Sequence, residues 1–182
     1  MSGVPTTYGG IDPGFDGALA IVRPDGSVQI YDPPTVSVAM TKKSKAGNER
    51  HRSEYLFSEM AAILRESALG FVTIEKVVAM PGFTRGGERV PMPAASALGS
   101  GVGYGAWQMG LAMLGIPFQI VAPQRWKAAL MADQAKVKEA SVPAACRLYP
   151  AASALLRGPR GRALHGRADA LLLAHYGRMG LR

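Results

Sequence analysis

The sequence predicts an α/β fold in which a five-stranded mixed sheet is flanked by helices. Short apolar runs separated by turn residues open the chain and predict a meander of three antiparallel strands. Two later apolar runs of strand length, 71–78 and 117–121, are set apart by helical periodicity, which is typical of parallel strands joined by helices. The predicted order is β-β-β-α-β-α-β, followed by further helices.

Length and composition limit the class of protein. The 182 residues are enough for one domain with its own core. No apolar run approaches bilayer-spanning length and no signal-peptide layout opens the chain, so we expect an intracellular, cytoplasmic protein without a membrane partner. The single cysteine, Cys146, excludes an internal disulfide and a cysteine-based zinc site. The formal charge of +8 favours a polyanionic partner, most commonly nucleic acid.

The first strand pair surrounds one carboxylate. Residues 6–11 and 18–22 are suited to strands, and Pro13 and Gly14 between them are typical turn residues. Asp12 ends the first strand, although Asp is depleted in strands. Its carboxylate either caps the turn or binds a metal ion from a rigid sheet. An Asp-Gly turn at 25–26 leads to the third strand at 28–31.

Residues 33–52 show no clear period, and we expect a loop there. The segment carries a basic cluster: Lys42, Lys43, Lys45, Arg50, His51 and Arg52. Such a cluster is either a solvated loop or a contact for nucleic-acid phosphates, and the overall charge favours the second interpretation.

A helix is predicted from Ser53, a typical N-cap residue, to about Gly70. The run 71–78 has the strongest strand signal in the chain and suits a buried parallel strand. Glu75 interrupts it. Its carboxylate either pairs with Lys76 or an arginine, or belongs to a functional site.

The segment from Met80 to Gly103 is rich in glycine and proline, and a long connection of this kind is usually functional. It carries Arg85 and Arg89 and includes part of the glycine tract 99–105, which leads to a helix predicted at 106–114. A glycine-rich start of a helix suits an anion, although close helix packing explains the glycines nearly as well.

After the fifth strand, Pro123 is predicted to begin a short helix. Basic residues cluster in and after it: Arg125, Lys127, Lys136 and Lys138. Together with Trp126 they suit a surface that contacts a nucleic-acid backbone, while Trp126 alone equally suits packing. The next predicted helix ends at Tyr149 and is interrupted by Pro143.

A last helix is predicted to begin near Arg167. It would place Asp169 in its first turn, where the helix dipole favours a carboxylate, and His165 just before it. Dipole and capping roles would account for both, and a shared site is the alternative. Two unit charges about 4 Å apart interact by roughly 4 kcal/mol at an effective dielectric near 20, so converging carboxylates need a cation between them.

Five sequence blocks occur in the order found in a known family. They are Gly10-Ile11-Asp12-Pro13 with Gly17-Ala18-Leu19-Ala20, Thr73-Ile74-Glu75, Gly103-Tyr104-Gly105 with Trp107, Pro123 with Trp126-Lys127 and Leu130-Met131, and His165-Gly166-Arg167-Ala168-Asp169-Ala170-Leu171-Leu172. With these blocks the chain resembles the RuvC-type Holliday-junction resolvases, and it is most similar to the branch that contains the chloroplast resolvases. Each block alone is weak, but five in sequence are specific.

The resemblance implies that residues 1–182 form one RNase H-like nuclease domain of a homodimeric endonuclease. Such enzymes depend on Mg²⁺, which Mn²⁺ is expected to replace, and they nick opposed strands of four-way DNA junctions in recombination and repair. The implied catalytic residues and metal ligands are Asp12, Glu75, His165 and Asp169, with Asp12 bridging two ions. Residues expected to contact DNA are Lys42, Lys43, Lys45, Arg50, Arg52, Arg85, Arg89, Tyr104, Arg125, Lys127, Lys136 and Lys138. The source would be a bacterium, a virus-infected cell or an organelle.

One position departs from the family pattern. Many bacterial members have a carboxylate three residues before the last Asp, whereas here His165 stands four residues before it. Imidazole is a softer ligand than carboxylate, so the metal preference is expected to differ.

Two other function classes compete with the nuclease. The pattern Asp-Pro-Gly-x-x-Gly-Ala after a strand also resembles the phosphate-binding hairpin of actin-like and sugar-kinase ATPases, but those folds need two such domains. A non-cleaving junction-binding protein on the same fold is the third interpretation. The intact acidic set argues against it, because carboxylates facing phosphates do not help binding.

Overall fold

The computed structural model describes residues 6–41, 47–77, 83–85, 88–90, 94–132 and 140–181, without the side chains of 83–90, 95 and 96. The strands are β1 Tyr8–Asp12, β2 Ala18–Val22, β3 Val28–Tyr31, β4 Thr35–Met40, β5 Arg50–Tyr55, β6 Phe71–Glu75, β7 Phe83–Arg85, β8 Glu88–Val90 and β9 Phe118–Val121. The helices are α1 Phe57–Glu66, α2 Ala94–Met113, α3 Pro123–Leu130, α4 Ser141–Leu148 and α5 His165–Arg178. Two 3₁₀ segments, Pro150–Leu156 and Pro159–Gly161, lie between α4 and α5.

The central sheet has five strands in the order β3-β2-β1-β6-β9. β1, β2 and β3 are antiparallel, and β6 and β9 run parallel to β1. The predicted mixed sheet is therefore confirmed, and with its flanking helices it has the RNase H-like arrangement. β4 pairs with β5 and β7 with β8 outside this sheet.

Strand alternation divides the core between the two faces of the sheet. On one face, here called the α5 face, α3, α4 and α5 pack together against the sheet. The core there includes Ala20 of β2 and Leu171 of α5. On the other, the α2 face, Trp107 and Leu111 of α2 pack against Ile11 and the rest of a second core. None of the helices in the described residues is long and apolar enough to cross a membrane.

The segment 33–52 is not the irregular loop that the sequence predicts, because it contains β4 and part of β5. Ser53 also lies in β5, so the prediction that it caps a helix is wrong, and α1 begins at Phe57. Most β5 side chains are exposed and the strand has no apolar alternation, which explains why periodicity did not reveal it.

The helix predicted at 106–114 begins at Ala94 and includes the glycine tract. Two glycines bring α2 close to neighbouring rings: a Cβ on Gly99 would lie 2.4 Å from the Phe15 ring, and one on Gly103 would lie 2.5 Å from the Tyr55 hydroxyl. Close packing thus overrides the poor helix propensity of glycine. The strand predicted at 71–78 ends at Glu75.

The three C-terminal helices agree to different degrees with their predicted starting residues. α3 begins at Pro123 as predicted, and α4 begins late, so that Pro143 lies in its first turn, where no N–H is needed. α5 begins at His165 and not near Arg167. Asp169 is therefore in the second turn, and the first-turn dipole explanation of Asp169 is wrong.

Candidate metal centre and active site

The carboxyl ends of β1 and β6 place Asp12 and Glu75 beside each other. The last registered pair of these parallel strands is Ile11 with Ile74. Asp12 and Glu75 each follow by one residue, so alternation turns both away from the α2-face core that holds the two isoleucines. Both acids therefore lie on the α5 face.

Helix α5 brings His165 and Asp169 to this edge, because glycines allow close packing. A Cβ on Gly10 would lie 2.0 Å from a carbonyl oxygen of α5, so a side chain there would push the helix away from β1. A Cβ on Gly166 would lie 2.0 Å from the carbonyl oxygen of Asp16. The start of α5 is thus packed directly on the β1–β2 loop.

The acids influence one another electrostatically. Burial, followed by the negative charges of Glu75 and Asp169, raises the pKa of Asp12 from 3.8 to about 7. The backbone N–H of Gly14 and the charge of Lys127 partly oppose this rise. Burial also raises the pKa of Glu75 and that of Asp169. Carboxyl groups crowded in this way are stabilised by a cation.

Two consecutive residues of α3 contact two of the acids. The indole Nε1 of Trp126 donates a 2.7 Å hydrogen bond to Oε2 of Glu75, and the indole is fully buried. The ammonium of Lys127 lies 3.7 Å from Oδ2 of Asp169 and 5.0 Å from the centroid of the Trp126 ring. Lys127 thus supplies the positive charge nearest to Asp169 among the described residues.

The chemistry of the donor set fits a divalent ion. Oδ1 of Asp169 and Nδ1 of His165 are buried and have no hydrogen-bond partner among the described residues. Carboxylate oxygens and imidazole nitrogens suit Mg²⁺ and Mn²⁺. Within the described ranges, however, no three His, Cys, Asp or Glu side chains are arranged to hold an ion. Trp126 contacts only Oε2 of Glu75 and Lys127 only Oδ2 of Asp169, so Oε1 and Oδ1 are the oxygens that would face an ion.

The β1–β2 loop beside Asp12 is supported from the β4–β5 pair. The Tyr55 hydroxyl donates to the Pro13 carbonyl at 3.3 Å, and its ring stacks on Phe15 with centroids 4.3 Å apart. Burial, then the charges of Asp12 and Asp16, raises the pKa of Tyr55 to about 12, so it stays a protonated donor. The loop is therefore fixed on both sides.

A cleft of about 600 Å³ adjoins this loop and the start of α5, and His165 lines it. Arg167 closes one side. Its guanidinium donates to both carboxylate oxygens of Asp32, at 2.6 and 2.5 Å, and to the Leu155 carbonyl at 2.9 Å. The exposed Arg162 gives this cleft a second basic side chain.

Two solved structures resemble this arrangement. Thermus thermophilus RuvC superposes with a TM-score of 0.50 at 21% identity, covering 96% of each chain. T. thermophilus RuvC in complex with Holliday junction substrate gives 0.51 at 18% identity, again over 96% of each. The chain has the RuvC fold. Neither a protein-family profile nor a curated sequence matches it.

On this RuvC fold the residues predicted to contact DNA are only partly placed. Lys42, Lys43, Lys45, Lys136 and Lys138 lie outside the described residues, as do the side chains of Arg85 and Arg89. Lys127 is at the acids, and Tyr104 lies in α2 with a pKa raised by burial. Arg50, Arg52 and Arg125 are exposed, and Arg52 is paired with Glu54 at 2.5 Å.

Sequence reasoning did not identify the roles of Trp126 and Ser141. Ser141 is buried at the start of α4 and holds down the pKa of Asp169. A lone serine after an unassigned stretch gives no signal. The Trp126-Lys127 block was noticed, but its contact with Glu75 joins residues 51 positions apart, which local pattern cannot reveal.

Proposed function

We propose that the protein is an endonuclease that resolves four-way DNA junctions by metal-dependent nicking of opposed strands. The observation that carries this proposal is the convergence of Asp12, Glu75 and Asp169 on one edge of the sheet. The charge of +8 and the likeness to RuvC support the same conclusion. We infer that residues 1–182 act as one nuclease domain, intracellularly, in DNA recombination and repair.

Asp12, Glu75, His165 and Asp169 would hold Mg²⁺, which Mn²⁺ would replace. A pair of bound divalent ions in such a site activates water, neutralises the scissile phosphate and stabilises the leaving 3′-oxygen. The negative charges of both Glu75 and Asp169 raise the pKa of Asp12, which would be the bridging ligand. His165 would be a ligand or a proton-transfer group.

Lys127 has a role of its own at the acids. Its ammonium is 3.7 Å from Asp169 and about a third of the side chain is exposed, so it can leave the carboxylate for an incoming phosphate. The remaining basic residues predicted to contact DNA would bind phosphates around the site, which positions the substrate without reading sequence.

We propose a homodimer, because one active site cuts one strand and a junction with two-fold symmetry has two equivalent strands to be cut. The α2 stripe is the surface we assign to it: Leu98, Val102, Met109 and Met113, which helical periodicity places on one side of α2. Their exposed fractions are 69%, 41%, 61% and 80%. A contiguous apolar stripe opposite the buried Trp107 suits burial against a second copy.

A cleavage assay tests the proposal. Labelled four-way junctions, forks, flaps and linear duplexes are incubated with the protein in Mg²⁺, Mn²⁺ or EDTA. We expect paired nicks in the junction with either metal and none in EDTA. ATP hydrolysis without DNA cleavage would favour the ATPase class, and binding without cleavage would favour a junction-binding protein.

Asp12→Asn is the matched variant, since it keeps the shape and removes one charge. Loss of even an outer partner of a metal site costs about 10–100-fold, so we expect cleavage to fall by more than about 100-fold while junction binding persists. The exposed Asp16 of the same loop is the control, and Asp16→Asn should cleave normally. Cleavage by Asp12→Asn at the wild-type rate would remove Asp12 from the site.

A further inference from the structure

The indole of Trp126 packs in the α5-face core and also makes a polar contact. It is fully buried, and its N–H meets Oε2 of Glu75 at 2.7 Å. Trp107, the other tryptophan, is 1% exposed, and its N–H has no hydrogen-bond partner in the described part of the chain. Among the described residues, burial of an indole is thus accompanied by a hydrogen bond at Trp126 and not at Trp107.

The contact is built into the sheet. Glu75 is in register with Val121 across β6 and β9, and the N–H of Lys76 donates to the Val121 carbonyl at 2.8 Å. Ala122 alone separates β9 from α3, whose first residue is Pro123, so Trp126 is held at a fixed distance from Glu75. The ring itself is buried in the α5-face core, which restricts its movement relative to Glu75.

We propose that Trp126 is a positioning residue whose indole N–H fixes the Glu75 carboxylate for metal binding. This inference rests on the proposed function and deepens it. Donation to Oε2 leaves Oε1 of Glu75 for an ion and restricts the rotation of the carboxylate. Lys127, the next residue, contacts Asp169, so consecutive residues of α3 orient two acids of the site. Hydrogen-bonded outer partners of this kind typically contribute 10–100-fold to metal affinity or activity.

The first test compares Trp126→Phe with Trp107→Phe. Each variant keeps an aromatic ring in a buried position and removes one N–H. Mn²⁺ binding to the full chain without DNA is measured by electron paramagnetic resonance of the free ion. We expect the dissociation constant to rise about 10–100-fold in Trp126→Phe and to stay unchanged in Trp107→Phe.

An isosteric replacement separates hydrogen bonding from shape. The chain has two tryptophans, so in the Trp107→Phe background a tryptophan analogue enters position 126 alone. β-(Benzothiophen-3-yl)alanine has sulfur where indole has N–H and nearly the same volume. We expect the analogue to weaken Mn²⁺ binding as Trp126→Phe does, while the thermal midpoint in EDTA stays close to that of the parent.

Junction cleavage gives a third measurement. Loss of positioning should raise the Mg²⁺ concentration needed for half-maximal kcat by about 10–100-fold and leave KM for the junction unchanged. Equal Mn²⁺ affinity in wild type, Trp126→Phe and the analogue would overturn the inference. So would equal losses in Trp126→Phe and Trp107→Phe, because these would reflect packing alone.

Failure of the proposed function looks different. In that case the wild-type chain itself neither cleaves junctions nor binds Mn²⁺, and the inference falls with it. If wild type binds Mn²⁺ and cleaves but the Trp126 substitutions change neither property, only the inference falls.

Discussion

The two faces of the central sheet are made from alternate residues of the same strands, and they differ in what they bury. On the α2 face, Ile11, Ile74, Trp107 and Leu111 form an entirely apolar contact, and the indole N–H has no partner in the described residues. On the α5 face, the same strands end in Asp12 and Glu75.

The difference shows how one sheet places apolar packing on one face and the candidate active site on the other. Alternation makes every second residue of β1 and β6 available to α5, and the strands end where α3 and α5 can approach. At that end carboxylates, an indole and an ammonium contact one another. The core of the α2 face contains no Asp, Glu, Lys or Arg among the described residues. Substitutions on the α5 face, on the outer side of α2 and on β5, each with a matched control, test this contrast.

The largest effect is expected for Gly10→Ala on the α5 face. The new Cβ would lie 2.0 Å from one backbone atom of α5 and 2.2 Å from another, so the helix must move. We expect Gly10→Ala to lower the free energy of unfolding by more than the roughly 1–3 kcal/mol typical of overpacking, which would leave the protein close to unfolded. Urea denaturation measures this loss.

Gly101→Ala in α2 is its control. A Cβ there meets nothing within 4 Å, and alanine is the better helix former. It should stabilise the protein by up to about 1 kcal/mol. If both variants shift stability in the same direction, the close packing of α5 on β1 is not what holds that face together.

The second effect concerns the buried acids. The folded-state pKa of Asp12 is raised to about 7, so folded protein holds this proton to higher pH than unfolded chain does. Stability is therefore lost as pH rises from about 4 to about 7, and the full cost is present above that range. At about 1.4 kcal/mol per pKa unit, the cost is on the order of 4 kcal/mol.

Asp12→Asn should remove this cost. In EDTA we expect its thermal midpoint to match that of wild type near pH 4 and to exceed it increasingly toward pH 8. The exposed Asp16→Asn should follow wild type throughout. A constant difference at every pH would show that the ionised carboxylate of Asp12 is not destabilising.

These contrasts indicate how much the sequence alone could predict. The meander and the strand end at Asp12 follow from apolar runs and turn residues, which are local signals. The strand that carries Glu75 follows from its apolar run, but it was predicted to reach residue 78 and ends at Glu75. Strand β5 was missed because a solvent-exposed strand has no apolar alternation. The start of α2 was missed because Gly99 and Gly103 are explained only by contacts with Phe15 and Tyr55, which are distant in sequence.

The candidate site divides in the same way. The acids could be found because carboxylates are unusual in apolar strands, and the resemblance supplied His165 and Asp169. The start of α5 was predicted two residues too late, since no typical N-cap residue precedes His165. The contacts of Trp126 and Lys127 with Glu75 and Asp169 arise only when α3 packs on the sheet.

The third effect tests the α2 stripe. Met109→Glu would place a charge in the proposed contact between two copies, where two-fold symmetry brings like charges together. We expect the dimer dissociation constant to rise about 100-fold, a change of about 2.7 kcal/mol. Sedimentation of the free protein and of its junction complex measures it.

Met179→Glu is the matched control, because Met179 follows α5 and is 54% exposed but lies outside the stripe. It should leave the dimer intact. Equal dissociation by both variants, or a wild-type monomer on the junction, would contradict the assignment of the α2 stripe.

The smallest effect is expected on β5, outside both faces, where alternation places Arg50 and Arg52 on the same side of one strand. Arg52 donates to Glu54 and is partly neutralised by it, whereas Arg50 has no ion pair among the described residues. A phosphate contact made by Arg50 releases a counterion, so Arg50→Gln should reduce the slope of log affinity against log salt by about 0.9. Arg52→Gln should reduce it less, because Glu54 already competes for the guanidinium.

Neither change should move the cut site, since phosphate contacts do not specify sequence. The slope is measured by junction binding over a range of salt concentrations with the catalytically silent Asp12→Asn chain as background. Equal slopes in all three proteins would show that β5 does not contact DNA, and a larger loss in Arg52→Gln would show that the Glu54 pair opens on binding.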